Sequence, residues 1–518
     1  MVFHCDRLRN GWPTEGVAGL SGYLTSSILV AFERMRASRN ACTPQDRETY
    51  RKGVIMEECR RLDNISLPAQ ATFALDVLEG AGYESWCVGG FVRDALLGRP
   101  SADVDIATAA PWQEVQRIFE TAGCRTHETG TAHGTLTVIV EDEAFEITTY
   151  RADGAYADGR HPDAVAFVRT IEEDLARRDF TMNALAFHPS RGILDPYGGV
   201  ADLEACTIRT VGDPERRFSE DALRILRACR FASQLGFSLE ADTYAGMMAN
   251  KSQLLRISSE RITHELECLL LGAHVHAALM ETVDVLAAVL PELVACKGFA
   301  QRTPYHIYDV LEHTAYVVQN TPPYPLARWA ALFHDVGKPA AFFQDADGTG
   351  HFYGHAKISV ELARCALGRL ALSPAFVSRV LTLVKYHDDV IEPTPKAVKR
   401  ALARLDGEVE LFRTLCDLKR GDALSQAPQC AGRVELADEL EKVLDGILAA
   451  DEAFTLKKLA LDGRDVMAAG VPQGPLVGAA LAETLDAVID ERVANERAAL
   501  VAFVSNWIKE QDAPPETL

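Results

Sequence analysis

Positive charge is scarce in this chain: 53 Lys and Arg stand against 74 Asp and Glu in 518 residues, a formal net charge of −21 at pH 7. That balance excludes a uniformly basic coat for nucleic acid, so a polyanionic partner needs a local arginine surface. Long apolar runs are missing as well. The nearest, Tyr23 to Phe32, is far short of the roughly 20 residues of a membrane span; it lacks a basic segment directly before it and is followed by Glu33-Arg34. No membrane partner and no signal peptide are expected. The 12 cysteines include no CxxC pair, which argues against a zinc ribbon or a disulfide framework and predicts reduced thiols in a cytoplasmic protein.

What is present is a globular composition, 48% hydrophobic and 25% charged, with length for about three or four domains. Residues 1–62 form a poorly patterned extension. Met56 precedes a charged segment and then the periodic Phe73, Ala74, Val77 and Leu78, so it is an alternative start; the other reading is a genuine, loosely ordered extension.

The chain is organised around Trp86 to Thr108. An apolar run, Trp86-Cys87-Val88, meets Gly89-Gly90, and Phe91 to Leu97 then has helical spacing and closes at Gly98, which reads as strand, glycine turn and helix. Glycines let backbone N–H groups approach an anion, and Arg93 in the first turn can add a charge-assisted hydrogen bond, so the turn suits a phosphate. Asp103 and Asp105 follow, separated by Val104. On a strand they share a face while Val104 and Ile106 take the other, the outline of a divalent-metal site. A GG pair alone is an ordinary turn and a DxD alone an ordinary strand end; joined in one unit they are more specific.

Downstream, Trp112 to Ala122 predicts an amphipathic helix and Thr135 to Val140 a strand. Ala144 to Arg151 alternates, placing Glu146 and Thr148 opposite Phe145 and Ile147; Glu146 is a candidate third carboxylate, or else a solvent-facing strand residue. Asp153 to Pro162 lacks periodicity and predicts a mobile loop beside the site. The run Arg177-Arg178-Asp179 reads by itself as a charged helix start, and Asp195 to Gly199 as a turn. Arg216 to Phe237 reads as one helix with Asp221, Arg224, Arg227 and Arg230 on a polar stripe and Leu223, Leu226 and Phe231 inward. Cytosine and adenine each present an exocyclic amine beside an unprotonated ring nitrogen, so an aspartate acceptor beside an arginine donor can pair with either, while uracil and guanine reverse both bonds. The bland reading of Asp221 and Arg224 is a helix-surface charge pair.

The string GGFVRDALLGRPSADVDIAT resembles the signature of DNA polymerase beta-like nucleotidyltransferases, in the branch holding bacterial CCA-adding enzymes and poly(A) polymerases. RRDFTMNA, from Arg177, and EDALR, from Glu220, follow in that family's order. The resemblance implies that Gly89, Gly90 and Arg93 hold a triphosphate and that Asp103 and Asp105 are catalytic and hold Mg²⁺. It further implies that Arg178 contacts the nucleotide, that Asp179 with Asn183 holds its sugar or pins the local geometry, and that Asp221 and Arg224 act as a protein template, with Arg227 and Arg230 beside them. Asp153 to Pro162 matches a flexible loop expected of enzymes that add the terminal A. Ser259 to Leu266 fits the neck helix, with Glu260 and Arg261 structural.

His306 and His313 fall in a segment read as helical; His334-Asp335 and Asp422 follow. This region resembles HD-type metal phosphohydrolases, implying a second divalent ion (Mn²⁺, Fe, Ni²⁺ or Zn²⁺) on His313, His334, Asp335 and Asp422, with His355 and His387 as second-metal or phosphate contacts. The alternative there is an inherited scaffold without turnover.

The expected fold is α+β and multidomain: a mixed-sheet nucleotidyltransferase head at 63–200, a helical neck with the nucleotide-selecting helix at 201–300, an HD domain at 301–430 and a helical tRNA-binding body and tail at 431–518. The expected activity is CCA addition to tRNA from CTP and ATP. Poly(A) synthesis, or an HD hydrolase with a nucleotide-binding head, are the alternatives, and no stable protein partner is inferable.

Overall fold

The computed structural model describes residues 65–101, 103–153 and 165–511. The N-terminal extension, the alternative start at Met56 and nearly all of the expected mobile loop lie outside the described residues.

The head is built on a seven-stranded mixed sheet of order β3-β4-β5-β2-β1-β8-β9, with β1 Ser85–Val88, β2 Asp105–Thr108, β3 Arg125–Gly130, β4 Thr135–Val140, β5 Glu143–Thr149, β8 Ala186–His188 and β9 Gly192–Leu194; β6 Arg151–Asp153 and β7 Val165–Phe167 form a separate hairpin. Only β2 and β5 pair in parallel; the other neighbours are antiparallel. Alternation assigns each side chain of these strands to a face. Cys87, Ile106, Leu136, Val138, Phe145 and Ile147 pack with α1 Ala69–Gly80 and α3 Trp112–Thr121, whereas Trp86, Val88, Ala107 and Ala186 pack with Tyr150, Ile171 and Leu175 on the other side. Between β1 and β2 lies α2 Gly90–Leu96, and α4 Ile171–Ala176 precedes β8.

Among the described residues, the regular elements after β9 are helices apart from short two-residue strands. The segment read as one helix is two, α5 Pro214–Glu220 and α6 Leu223–Leu235. Asp221 between them is extended, φ −143° and ψ 104°, and its Oδ1 accepts from the Leu223 N–H at 3.0 Å; a short acceptor outside the helix offers the next helix's open N–H groups a partner and favours a break. Then come α7 Ser259–Leu270, α8 Val310–Asn320, α9 Pro325–Phe333, α10 His355–Gly368, α11 Pro374–Tyr386, α12 Val409–Leu424 and α13 Gly432–Ala449. His306 precedes α8 in an irregular segment and is not helical. One continuous apolar core runs from the head sheet through these helices, while Leu459 to Val504 forms a separate cluster in the tail. Among the described residues, no helix is long and apolar enough to cross a membrane, and the nine described cysteines are free.

Candidate functional site

A cleft of about 710 Å³ opens where β1, β2 and β5 meet α6 and α7, and eight arginines line it: Arg93, Arg151, Arg177, Arg178, Arg224, Arg227, Arg230 and Arg261. In a chain of net charge −21, this is the local cationic surface that an anionic substrate needs.

Gly89 follows β1 with φ +71°, a conformation that favours glycine, and a Cβ there would stand 2.5 Å from Arg178 Nη1 and displace that guanidinium. Arg93, one turn into α2, donates to Asn183 Oδ1 at 2.6 Å and pairs with Asp94 at 2.8 Å. The Arg178 guanidinium pairs with Asp174 at 3.4 Å; burial pushes its pKa down, opposed first by Asp174. The RRD run closes α4 and does not start a helix.

Asp105 faces the cleft, and its direct partner across the parallel ladder is Glu146. Burial lifts the Asp105 carboxyl to about 6, against the pull of Arg178 and with Glu146 and Asp103 adding repulsion. Asp103 lies just before β2, exposed, on the same side of the alternation, and does not line the cleft. The three carboxylates do not form one of the groups whose oxygens come within 4.8 Å of one another among the described residues. Like charges held together at Asp105 and Glu146 suit a hard divalent cation, which takes oxygen ligands.

Asp179 is engaged through both carboxylate oxygens. Its Oδ1 accepts from Asn183 Nδ2 at 3.0 Å and from the Phe180 N–H at 2.8 Å, and its Oδ2 accepts from Arg227 Nε at 2.8 Å. Burial works against the charge, yet Arg227 and these hydrogen bonds hold the carboxyl well below its ordinary value. Of the two expected roles, the geometry fits pinning. Arg230 is likewise tied to Glu265 at 3.3 Å, and the guanidinium carbons of Arg93, Arg227 and Arg230 stand 4.7 to 5.4 Å from the centroid of Phe231.

Asp221 and Arg224 both line the cleft, but they do not share a continuous helix face, and each is held by other residues. Asp221 Oδ2 accepts from Arg261 Nη2 at 3.0 Å. Arg224 donates through Nη1 to Glu220 Oε2 at 2.8 Å and to the Arg217 carbonyl at 3.0 Å, and through Nη2 to the Arg177 carbonyl at 3.1 Å. Sequence reasoning passed over Glu220 in this role, although it stands four residues before Arg224, the spacing of a helical ion pair. Of the two residues expected to be structural, Arg261 bonds Asp221 and lines the cleft, whereas Glu260 is exposed.

A second cluster lies among α8 to α12. His313 Nε2 is 3.3 Å from Asp335 Oδ2 and 3.1 Å from Asp422 Oδ1, and His334 Nε2 is 3.1 Å from Asp335 Oδ2. His355 and His387 approach Asp335 Oδ1 at 3.3 and 3.5 Å. The Nδ1 atoms of His334, His355 and His387 each lie within 2.9 Å of a backbone carbonyl, which sets the tautomer that leaves Nε2 as a lone-pair donor toward the centre. His313 Nε2 and His334 Nε2 are buried, and they face these carboxylate oxygens without making an aligned hydrogen bond. Burial opposes charge on His313, but its carboxylate partners win and lift it to about 8. Sequence reasoning missed Lys338, whose Nζ is 2.6 Å from Asp335 Oδ2 and 3.2 Å from His306 Nε2. Three donor groups meet within 4.8 Å: His306, His313 and Asp335; His313, His334 and Asp422; Asp335, His355 and His387.

Family models described as Poly A polymerase head domain, probable RNA and SrmB-binding site of polymerase A, and putative tRNA nucleotidyltransferase domain 2 match residues 85–209, 236–296 and 365–504. The chain is 34% identical over 433 residues to a CCA-adding enzyme of Levilactobacillus brevis, covering 83% of this chain and 96% of that one. A CCA-adding enzyme of Geobacillus thermodenitrificans is 45% identical over 269 residues, 52% of this chain and 63% of that one. Among solved structures, a Bacillus stearothermophilus CCA-adding enzyme in complex with CTP superposes with a TM-score of 0.65 at 30% identity, covering 86% of this chain and all of that one. A Thermotoga maritima CCA-adding enzyme complexed with tRNA-CCA, at 19% identity and a TM-score of 0.53 over 88% and 98% of the two chains, shares the fold.

Proposed function

The chain belongs to the CCA-adding enzyme family, and from that premise we propose that it adds C, C and A to the 3′ end of tRNA from CTP and ATP, releasing pyrophosphate in the cytoplasm. The observation that carries this reading is the arginine-lined cleft that gathers Asp105 and Glu146 with Asp221 and Arg224.

The Gly89 turn, Arg93 and Arg178 receive the triphosphate, the arginines meeting its charge. Asp105, with Glu146 beside it and Asp103 two residues before it on the same side of the alternation, supplies the oxygen donors that would hold Mg²⁺. That ion, when bound, assists deprotonation of the RNA 3′-hydroxyl and offsets charge on the phosphates. Arg224 donates to the ring nitrogen of C or A and Asp221 accepts from the exocyclic amine. Because Glu220 and Arg261 already hold these two side chains, their orientation is set before the base arrives, which is how a preorganised site limits the cost of binding. Asp179, Arg227 and Arg230 fix the wall on which this pair stands. The neck and the helical body, residues 201–300 and 431–518, carry the tRNA.

The experiment combines the full chain, tRNA lacking its 3′ end, Mg²⁺, CTP and ATP. Wild type is expected to extend the RNA, and Asp105→Ala to abolish extension with the melting temperature retained. Full activity in Asp105→Ala would remove the basis of this mechanism.

A second reading concerns the histidine cluster, favoured by the convergence of its buried Nε2 atoms and carboxylates within 4.8 Å of one another. Residues His313, His334, Asp335 and Asp422 would hold a divalent transition metal of an HD-type hydrolase, with His355 and His387 open to a second ion or a phosphate. Imidazole and carboxylate donors suit such metals, and a polar neighbour such as the Lys338 ammonium suits an anionic substrate.

A further inference from the structure

The metal-ligating side chains of the histidine cluster differ sharply in exposure: His313 is 0%, His334 1% and Asp335 2% exposed, against 24% for Asp422. A substrate therefore reaches the cluster past Asp422. The rim at that point has a defined chemistry. Gln426, one turn after Asp422, donates from Nε2 to Asp422 Oδ2 at 2.9 Å and accepts at Oε1 from Arg433 Nη1 at 2.8 Å. The Arg433 guanidinium in turn lies 5.7 Å from the ring centroid of Tyr305, which directly precedes His306 and is 49% exposed. The Tyr305 carbonyl accepts from the Ala427 N–H at 2.8 Å, and the Pro304 carbonyl from Gln429 Nε2 at 2.7 Å, so both sides of the rim are tied together. Arg420 on α12, by comparison, pairs with Asp417, Asp438 and Glu441. Among the described residues, exposed Arg433 pairs with no carboxylate.

Resting on the reading of the cluster as a metal centre, we propose that Tyr305 and Arg433 form a specificity element at its mouth that selects a phosphate ester carrying a nucleobase. A planar exposed ring gives a base a stacking surface, and a guanidinium without a carboxylate partner gives a phosphate a planar donor pair. Hydrogen bonds continue from Arg433 through Gln426 to Asp422, so whatever the rim binds is coupled to the orientation of a ligand. Asp422 and Gln426 are positioning residues for that contact; Tyr305 and Arg433 touch the substrate.

The test titrates AMP, ribose 5-phosphate and adenosine into full-length, Mn²⁺-incubated protein by calorimetry, in an Arg178→Ala background that weakens nucleotide binding in the head. Tyr305→Ala is expected to weaken AMP and adenosine by about 5- to 150-fold, the range for loss of one stacked base, and to leave ribose 5-phosphate unchanged. Arg433→Ala is expected to weaken AMP and ribose 5-phosphate and to spare adenosine. Manganese content per chain, measured on the same samples, reports the metal reading separately: a chain without manganese refutes that reading, and the AMP affinities still decide the rim. Unchanged AMP affinity in both variants overturns the proposal. A change in sedimentation with no change in AMP affinity also overturns it, because the pair is then a contact between copies of the chain.

Discussion

Asp221 is where base choice and local structure meet, because one carboxylate caps α6 through Leu223, bonds Arg261 and is proposed to face the base. Asp221→Ala is expected to admit UTP or GTP with a loss of selectivity of about 1–3 kcal/mol, roughly 5- to 150-fold. The check is a competition of all four nucleotides on tRNA lacking CCA; equal slowing for every nucleotide with strict order retained assigns the pair a structural role only. Arg261→Ala removes a partner of Asp221 without touching the base and is expected to give the same relaxation in weaker form. Asp179 belongs to a different class of residue. Its carboxyl is held below the ordinary value by Arg227 and by hydrogen bonds, so its contribution to stability is present above the unfolded pKa of about 3.9 and is lost as pH falls below it. The carboxylate is buried while Arg227 is partly exposed, so Asp179→Ala is expected to melt lower at pH 7, by less than a fully buried pair would give, and to show a flatter loss of stability in acid than wild type. Identical acid slopes in thermal melts contradict this.

At the scale of elements, the β1–α2 turn is the tightest constraint on the head. Gly89→Ala places a Cβ at a φ of +71° and against Arg178, a strain of about 1–3 kcal/mol; CTP affinity and melting temperature are both expected to fall, and CTP titration with thermal melts checks this. That turn was legible in the sequence because its cause is local: an apolar run, two glycines and a helical period. Glu146 was legible by strand alternation, although its position opposite Asp105 needed the parallel register of β2 and β5. The break between α5 and α6 was not legible. Apolar spacing runs on through Leu223 and Leu226, and part of what fixes Asp221 is Arg261, a residue 40 positions later. The histidine cluster shows the same division. The HD dipeptide is visible, and Lys338 and Gln426, three residues after Asp335 and four after Asp422, lie at spacings a sequence can show; the approach of His313, His355 and His387 to Asp335 depends on helices that meet only in the fold.

Taken whole, the molecule carries two clusters of chemistry built on different elements: carboxylates and arginines on the head sheet and its neighbouring helices, and imidazoles among α8 to α12. Different donors and different elements imply chemical independence. His334→Ala is therefore expected to lower bound Mn²⁺ and any Mn²⁺-dependent phosphohydrolase activity while nucleotide addition in Mg²⁺ continues; loss of both together in a folded variant contradicts independence. The distribution of charge has its own consequence. In a chain of net charge −21, the eight arginines lining one cleft place a favourable local field for an anionic substrate there. The most direct measurement on the central claim offers wild-type protein a tRNA lacking its 3′ end, Mg²⁺ and all four nucleoside triphosphates together, with the products sequenced. Addition of C, C and A in that order, followed by a stop, is expected; a run of A beginning at the first added position, or incorporation of U and G at rates like those of C, contradicts CCA addition.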